Sequence, residues 1–340
     1  MILNIAYIII GVALVLWGAD RLTEGASALA RRMNVPEIVI GLTIVAAGTS
    51  APEMFVSVVS ALKGTPDLAV GNVVGSNIMN AMLIVGCAAM VAPMTIAPST
   101  VRKDIPFSVM ASVLLLVVCM DMWQSLSICG NIISRLDGVV LLMGFTAFMY
   151  YTLMVARKGG TDVLAGGTDV LAEGTDDGAG GARAAADGAR RPGVWLSLLF
   201  VALGLGCLVV GSNLFVSSAS AVATVLGVSE GVIGLTIVAG GTSLPELATS
   251  VVAARKGQSA IAIGNVIGSN VFNILLILGV TAVISPMQIE GITLVDLGVM
   301  LLSVALVWLF SYTKYTVARW EGAVLVGGFL VYLGWLLHNI

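Results

Sequence analysis

The chain has 340 residues, of which 58% are hydrophobic and 10% charged, with a formal net charge of −3 and a mean hydropathy of +1.04. Apolar runs of about 20 residues recur along almost its whole length, so most of it lies in a bilayer and nothing is left over for a separate soluble domain. No nucleophile arrangement, phosphate-binding loop, cofactor motif or nucleic-acid-binding pattern interrupts those runs, which argues against an enzyme and against a nucleic-acid partner.

In chain order the hydropathy predicts membrane helices over 3–27, 36–62, 68–92, 104–122 and 135–155. The opening MILNIAYIIIGVALVLWGAD lacks a basic leader and a cleavage site, so it reads as a retained first helix rather than a signal peptide. Residues 156–193 read as a linker. GGTDVLA at 159–165 recurs at once at 166–172 and gives way to EGTDDGAGGARAAADGARR. Such sequence cannot bury enough apolar surface to fold alone, and its aspartates lack calcium-loop spacing, so a disordered tether is expected. Five more helices follow at 194–217, 229–254, 261–285, 293–313 and 318–338. The four cysteines, Cys87, Cys119, Cys129 and Cys207, match no metal or disulfide framework, and the single histidine, His338, is close to the last residue.

The expected fold is therefore an all-α integral membrane protein of ten transmembrane helices, built as two five-helix repeats, 1–155 and 194–340. An odd number of helices per repeat inverts one against the other. The distribution of basic residues orients them. With the N-terminus outside, the inner loops hold thirteen Lys and Arg and the outer loops only Lys63 and Arg135. Both termini are expected outside and the linker in the cytoplasm, in a cell (inner) membrane.

The repeats share more than helix count. Gly41 to Asn80 and Gly234 to Asn273 align without a gap at an offset of 193, with 25 of 40 positions identical. Each copy places a proline and a glutamate, Pro52-Glu53 and Pro245-Glu246, in the middle of an apolar run. Proline removes a backbone donor and frees carbonyls upstream, so helices 2 and 7 are expected to break at mid-membrane. Freed carbonyls in hydrocarbon must face protein, water or a ligand. Around each break stand Gly48, Thr49 and Ser50, or Gly241, Thr242 and Ser243, with Glu53 or Glu246 within a turn. A buried ionisable residue costs several kcal/mol, about 3 by insertion scales, and packing alone does not explain it twice at equivalent positions. Helices 3 and 8 add Ser76 and Asn80, and Ser269 and Asn273, each pair four apart and so on one helix face. Asn77 and Asn270 read more readily as amides that hold backbone. These are hard oxygen donors, without thiolate or imidazole, and suit calcium or sodium rather than zinc or copper.

With GTSAPE and GTSLPE, and GNVVGSNIMN and GNVIGSNVFN, the sequence resembles the sodium/calcium exchanger family of the cation/calcium antiporter superfamily, especially its short prokaryotic members. The resemblance implies that Glu53 and Glu246 coordinate the ions. It also implies contributions from the hydroxyls of Thr49, Ser50, Thr242 and Ser243, from backbone carbonyls at Ala46 and Ala239, and from Ser76, Asn80, Ser269 and Asn273. Several relatives, including potassium-dependent ones, carry aspartate where this chain has Asn273, which argues against potassium co-transport and leaves two carboxylates rather than three.

Two carboxylates are balanced by one Ca²⁺ or by two Na⁺. A third Na⁺, as the resemblance implies, makes the cycle electrogenic. The expected activity is Ca²⁺/Na⁺ antiport by alternating access, with helices 1 and 6 moving across a core of helices 2, 3, 7 and 8. No cofactor and no obligate protein partner are expected, only the ions and the lipid bilayer. A Ca²⁺/H⁺ antiporter is the alternative. A channel is disfavoured because the symmetry is internal rather than among identical subunits, and a non-transporting receptor predicts flux that is indifferent to the glutamates.

Overall fold

The computed structural model describes residues 1–119, 132–165, 193–227, 239–289 and 291–338. These form α1 (Ile2–Arg32), α2 (Glu37–Ile40), a π turn (Gly41–Val45), α3 (Ala46–Thr49), α4 (Ala51–Leu62), α5 (Pro66–Ile78), a π turn (Met79–Ile84) and α6 (Val85–Val91). A third π turn (Thr100–Asp104) leads into α7 (Ile105–Cys119), followed by α8 (Arg135–Ala165) and α9 (Val194–Val225). The rest comprises α10 (Ala239–Thr242), α11 (Leu244–Arg255), α12 (Ser259–Val271), a π turn (Phe272–Leu278), α13 (Gly279–Ile284), α14 (Leu294–Tyr312) and α15 (Arg319–His338).

Among the described residues seven helices are long and apolar enough to cross a membrane. The pair Glu37–Thr49 and Ala51–Leu62, bent by 46°, makes an eighth. The span expected at 104–122 runs into 120–131, and the one expected at 229–254 begins in 228–238. Both stretches lie outside the described residues, as do Cys129 and linker residues 166–192. Three expected ends are corrected. α1 continues five residues past 27, α9 eight residues past 217, and α8 continues to Ala165, ten residues into the stretch read as a tether. Once nucleated, a helix extends at little cost, so it need not stop where the hydrophobic slab does. At 31 residues α1 is roughly 46 Å long, well beyond the ~30 Å hydrocarbon thickness.

The segments divide into an inner and an outer set. In Pro66–Val91 and Ser259–Ile284, 78% of the most apolar window is buried, against 22% for α1 and 17% for α15. The inner pair is lined with alanine, glycine, serine and asparagine, small side chains that let backbones approach. The outer helices display Leu3, Ile9, Leu136, Met143, Trp195 and Val331, a lipid-facing surface.

α1 and α9 pack along their whole length through glycines. A Cβ on Gly11 would lie 2.8 Å from the Gly211 carbonyl, and one on Gly18 would lie 2.8 Å from the Gly204 carbonyl. Gly25 meets Ser197 in the same way. Numbers rise along one helix as they fall along the other, so the pair is antiparallel. Gly204 and Gly211 are also Gly11 and Gly18 displaced by 193 residues. Two short antiparallel ladders repeat the exchange: β1 (Met94–Thr95) with β4 (Thr316–Val317), and β2 (Ile132–Ile133) with β3 (Met287–Gln288). Each joins a loop of one half to a loop of the other.

An ion pair between α11 and α1 lacks a counterpart. Lys256 Nζ reaches from the end of α11 to Asp20 Oδ1 of α1 at 2.5 Å and to the Asp20 carbonyl at 3.0 Å. The corresponding positions in the other half hold Lys63 and Asn213.

The glycine contacts define a test. Gly204→Val places a Cβ 2.7 Å from the Leu22 nitrogen, and overpacking of this kind costs about 1–3 kcal/mol. Gly204→Val should lower the melting temperature of the purified protein. Gly206→Val, whose Cβ would meet nothing within 4 Å, should not. Equal melting curves for both variants would disprove the close approach.

Candidate functional site

The site forms where the two broken segments cross. Ser50 ends α3 and stands as the cap of α4, so Ala51 and Pro52 occupy the first two positions of a new helix and Glu53 the third. Proline costs nothing there, because the first N–H groups of a helix have no intrahelical partner. Ser243, Leu244, Pro245 and Glu246 repeat the arrangement at α11. Each glutamate thus sits in the first turn of a helix, where the partial positive charge of the N-terminus favours a carboxylate.

The two repeats are joined crosswise. Ser50 Oγ donates to Glu246 Oε1 at 3.2 Å, and Ser243 Oγ donates to Glu53 Oε1 at 3.2 Å. Each carboxylate is therefore held by the hydroxyl three residues upstream of the other. Ser243 Oγ also lies 3.3 Å from Ser76 Oγ, which draws α5 into the same cluster. Thr242 lies beside Glu53 and Thr49 beside Glu246.

Both glutamates are 1% exposed, and among the described residues no lysine or arginine pairs with either. Glu53 Oε2, Glu246 Oε2, Asn80 Oδ1, Asn273 Oδ1 and Ser269 Oγ are buried and have no hydrogen-bond partner. All but one of these orphaned atoms can only accept. Buried acceptors without donors are costly and call for a positive group. Among the described residues no three His, Cys, Asp or Glu side chains cluster as a metal site. The donor set instead mixes two carboxylates with neutral hydroxyl and amide oxygens.

The expected residues are brought together with differences at the backbone. The Ala46 carbonyl already accepts from the Ser50 N–H at 3.0 Å and lies 3.3 Å from Thr49 Oγ1. Ala239 opens α10. Pro245 strips the Gly241 carbonyl, four residues upstream, of its helical donor, and the Ser212 hydroxyl of α9 supplies one. In the first half the place of Ser212 is taken by Ala19.

A supporting layer of asparagines and serines lies behind these residues. Asn72 Nδ2 donates to the Glu53 carbonyl at 3.2 Å and to Ser57 Oγ at 3.0 Å. Asn265 Nδ2 donates to the Glu246 carbonyl at 3.3 Å and to Ser250 Oγ at 3.0 Å. Asn265 Oδ1 accepts from Thr49 Oγ1 at 3.0 Å. The available signal was identity between the copies, since Ser57/Ser250 and Asn72/Asn265 match at the offset of 193. The π turns carrying Asn80 and Asn273 have no such signal.

A family model described as sodium/calcium exchanger protein matches residues 3–154 and 196–338. The inner membrane protein YrbG of Escherichia coli (strain K12) is 37% identical over 341 residues, covering 99% of this chain and 97% of that protein. The sodium/calcium exchanger MaX1 of Methanosarcina acetivorans is 34% identical, with 97% of each covered. The putative antiporter CaxA of Alkalimonas amylolytica is also 34% identical, with 98% of each covered. Among solved structures, the sodium-calcium exchanger NCX_Mj soaked with 10 mM Na⁺ and zero Ca²⁺ superposes with a TM-score of 0.78 at 29% identity, over 98% of both chains.

The burial of two unpaired carboxylates gives a stability test. At pH 8 in buffer free of sodium and calcium, Glu53→Gln removes one of two neighbouring buried ionisable groups and should raise the melting temperature. Added Ca²⁺ should then stabilise the wild type far more than the variant. A variant that melts no higher than wild type without cations would contradict this charge balance.

Proposed function

The chain belongs to the sodium/calcium exchanger protein family, and on that premise we propose that it is a multi-pass membrane antiporter that exchanges Ca²⁺ for Na⁺ at the crossed glutamates. Ten spans make up the proposed body, as inverted repeats 1–155 and 194–340 around a cytoplasmic linker, with both termini outside. The observation that carries the reading is the pair Glu53 and Glu246. Both are buried without a basic partner among the described residues, each leaves one oxygen unpartnered, and the helices that carry them pack against the turns of Asn80 and Asn273, whose buried amide oxygens are also unpartnered.

In this reading the carboxylates, with Thr49, Ser50, Ser76, Thr242, Ser243 and Ser269, the amide oxygens of Asn80 and Asn273, and carbonyls at Ala46 and Ala239, replace the hydration shell of the cation. Oxygen-only donors in that number suit a hard cation. The site carries −2 when both glutamates are ionised. One Ca²⁺ neutralises it, as do two Na⁺, so the ions compete for the same charge. Leaving both carboxylates bare in a medium of low polarity is strongly unfavourable, so the empty carrier crosses slowly and exchange is coupled. A third Na⁺ adds one net charge per cycle, worth about 2.3 kcal/mol per 100 mV. The close glycine seam between α1 and α9 supports these two helices moving as a unit across the 2-3-7-8 core.

The test is flux in proteoliposomes. Ca²⁺ uptake should follow an outward Na⁺ gradient at fixed pH and should be absent when only a pH gradient is imposed; the reverse result replaces Na⁺ with H⁺ as counter-ion. Glu53→Gln and Glu246→Gln should each reduce Na⁺-driven uptake at least a hundredfold at normal insertion, and near-normal flux in either would refute the site. Removing residues 168–188 should leave uptake within twofold of wild type, and a well-inserted but inactive deletion would give the linker a role.

A further inference from the structure

Asn77 and Asn270 hydrogen-bond to neither carboxylate, yet each is bound to a site residue of the opposite repeat. Asn273 Nδ2 donates to Asn77 Oδ1 at 3.1 Å, and Asn80 Nδ2 donates to Asn270 Oδ1 at 3.1 Å. All four side chains are at most 1% exposed. A carboxamide presents a donor on one side and an acceptor on the other, and rotation by half a turn exchanges them. Fixing the nitrogen of Asn273 and Asn80 therefore fixes where their oxygens point, and these two oxygens are among the orphaned acceptors of the site.

The direction of the Asn273 clamp has independent support. Asn77 Nδ2 lies 4.0 Å from the thioether sulfur of Met300, which is fully buried on α14. A thioether can accept weakly but cannot donate. The nitrogen of Asn77 therefore faces sulfur and its oxygen faces Asn273. Asn270 Nδ2 is buried without a hydrogen-bond partner, so the Asn270 clamp lacks this anchor.

We propose that Asn77 and Asn270 are positioning residues that lock Asn273 and Asn80 with carbonyl oxygen, rather than NH₂, toward the transported cation. The inference rests on the cation site proposed above. Without the clamp a site amide can turn its hydrogens to the cavity, replacing an attractive dipole with a repulsive one. The cost falls most on Ca²⁺, which needs six to eight oxygens and carries twice the charge, and less on Na⁺. The clamp also explains why the two asparagines three residues apart do not bond to each other along their own helix. Each reaches across the pseudo-two-fold, so the orientation of every site amide depends on the opposite repeat being in register.

The experiment compares Asn77→Leu, Asn77→Asp and Asn270→Leu with Glu53→Gln in Na⁺-driven Ca²⁺ uptake and in Ca²⁺-dependent thermal shift of the purified protein. Asn77→Leu removes the acceptor at similar volume. It should raise the half-saturating Ca²⁺ concentration about tenfold, the usual effect of losing a partner of a metal ligand, with the maximal rate within about twofold and half-saturating Na⁺ changed less than threefold. Asn77→Asp restores an acceptor opposite Asn273 and should recover most of the Ca²⁺ affinity. Asn270→Leu should show the same shift through Asn80 and stands in if Asn77→Leu does not fold. Unchanged Ca²⁺ affinity in the leucine variants, or an equal loss in Asn77→Asp, would overturn the clamp while an inactive Glu53→Gln leaves the site intact. Active Glu53→Gln would remove the site and the clamp with it.

Discussion

Two carboxylates are held in the interior of a membrane protein with no basic side chain beside them, and most of the local architecture answers to that constraint. A buried charge must be neutralised or met by oriented dipoles. Here each glutamate is placed in the first turn of a helix begun by a proline. Each receives a hydroxyl from the other repeat, and an asparagine from the neighbouring helix steadies the backbone carbonyl of the same residue. What these arrangements leave over is a set of oxygens with nothing to accept from. Dipoles alone do not complete the balance; under the proposed function a cation does.

Duplication explains how one chain assembles such a cluster cheaply. A bond formed by one copy recurs in the other at an offset of 193, with donor and acceptor exchanged between halves: Ser50 to Glu246 against Ser243 to Glu53, and Asn80 to Asn270 against Asn273 to Asn77. The same exchange governs the glycine contacts of α1 with α9 and the two loop ladders. One segment broken at Pro52 and its repeat broken at Pro245 thus supply both walls of the site. Because neither half completes its own carboxylate shell, the halves must stay in register for the site to exist.

Much of this was legible because local chemistry forced it. Proline and glutamate inside an apolar run leave few physical options, and their recurrence at a fixed offset marked Glu53, Glu246 and the flanking hydroxyls before any geometry was available. The bend at Ser50 follows from the same residues. What could not be read was set by tertiary contact. The π turns at Met79–Ile84 and Phe272–Leu278 arise in segments whose sequence is ordinary for a helix. The partners of Asn72, Asn77, Asn265 and Asn270 lie across the cavity or on a neighbouring helix, where spacing along one segment says nothing. Helix ends were misjudged for a related reason. Hydropathy reports the thickness of the apolar slab, whereas α1 and α8 end where backbone hydrogen bonding ends, beyond it.

The ion pair between Lys256 and Asp20, set against Lys63 and Asn213 at the equivalent place, has a thermodynamic consequence. Two identical inverted halves would give a carrier whose opposite-facing forms were related by a two-fold rotation and equal in free energy, and any preference would have to come from the surroundings. Every difference between the halves lifts that degeneracy from within, and this bridge is one of them. With both side chains about a third exposed, such a pair contributes about 0.2–1 kcal/mol; a bridge of that size formed in only one of the two forms would tilt their populations by a factor of roughly 1.4 to 5.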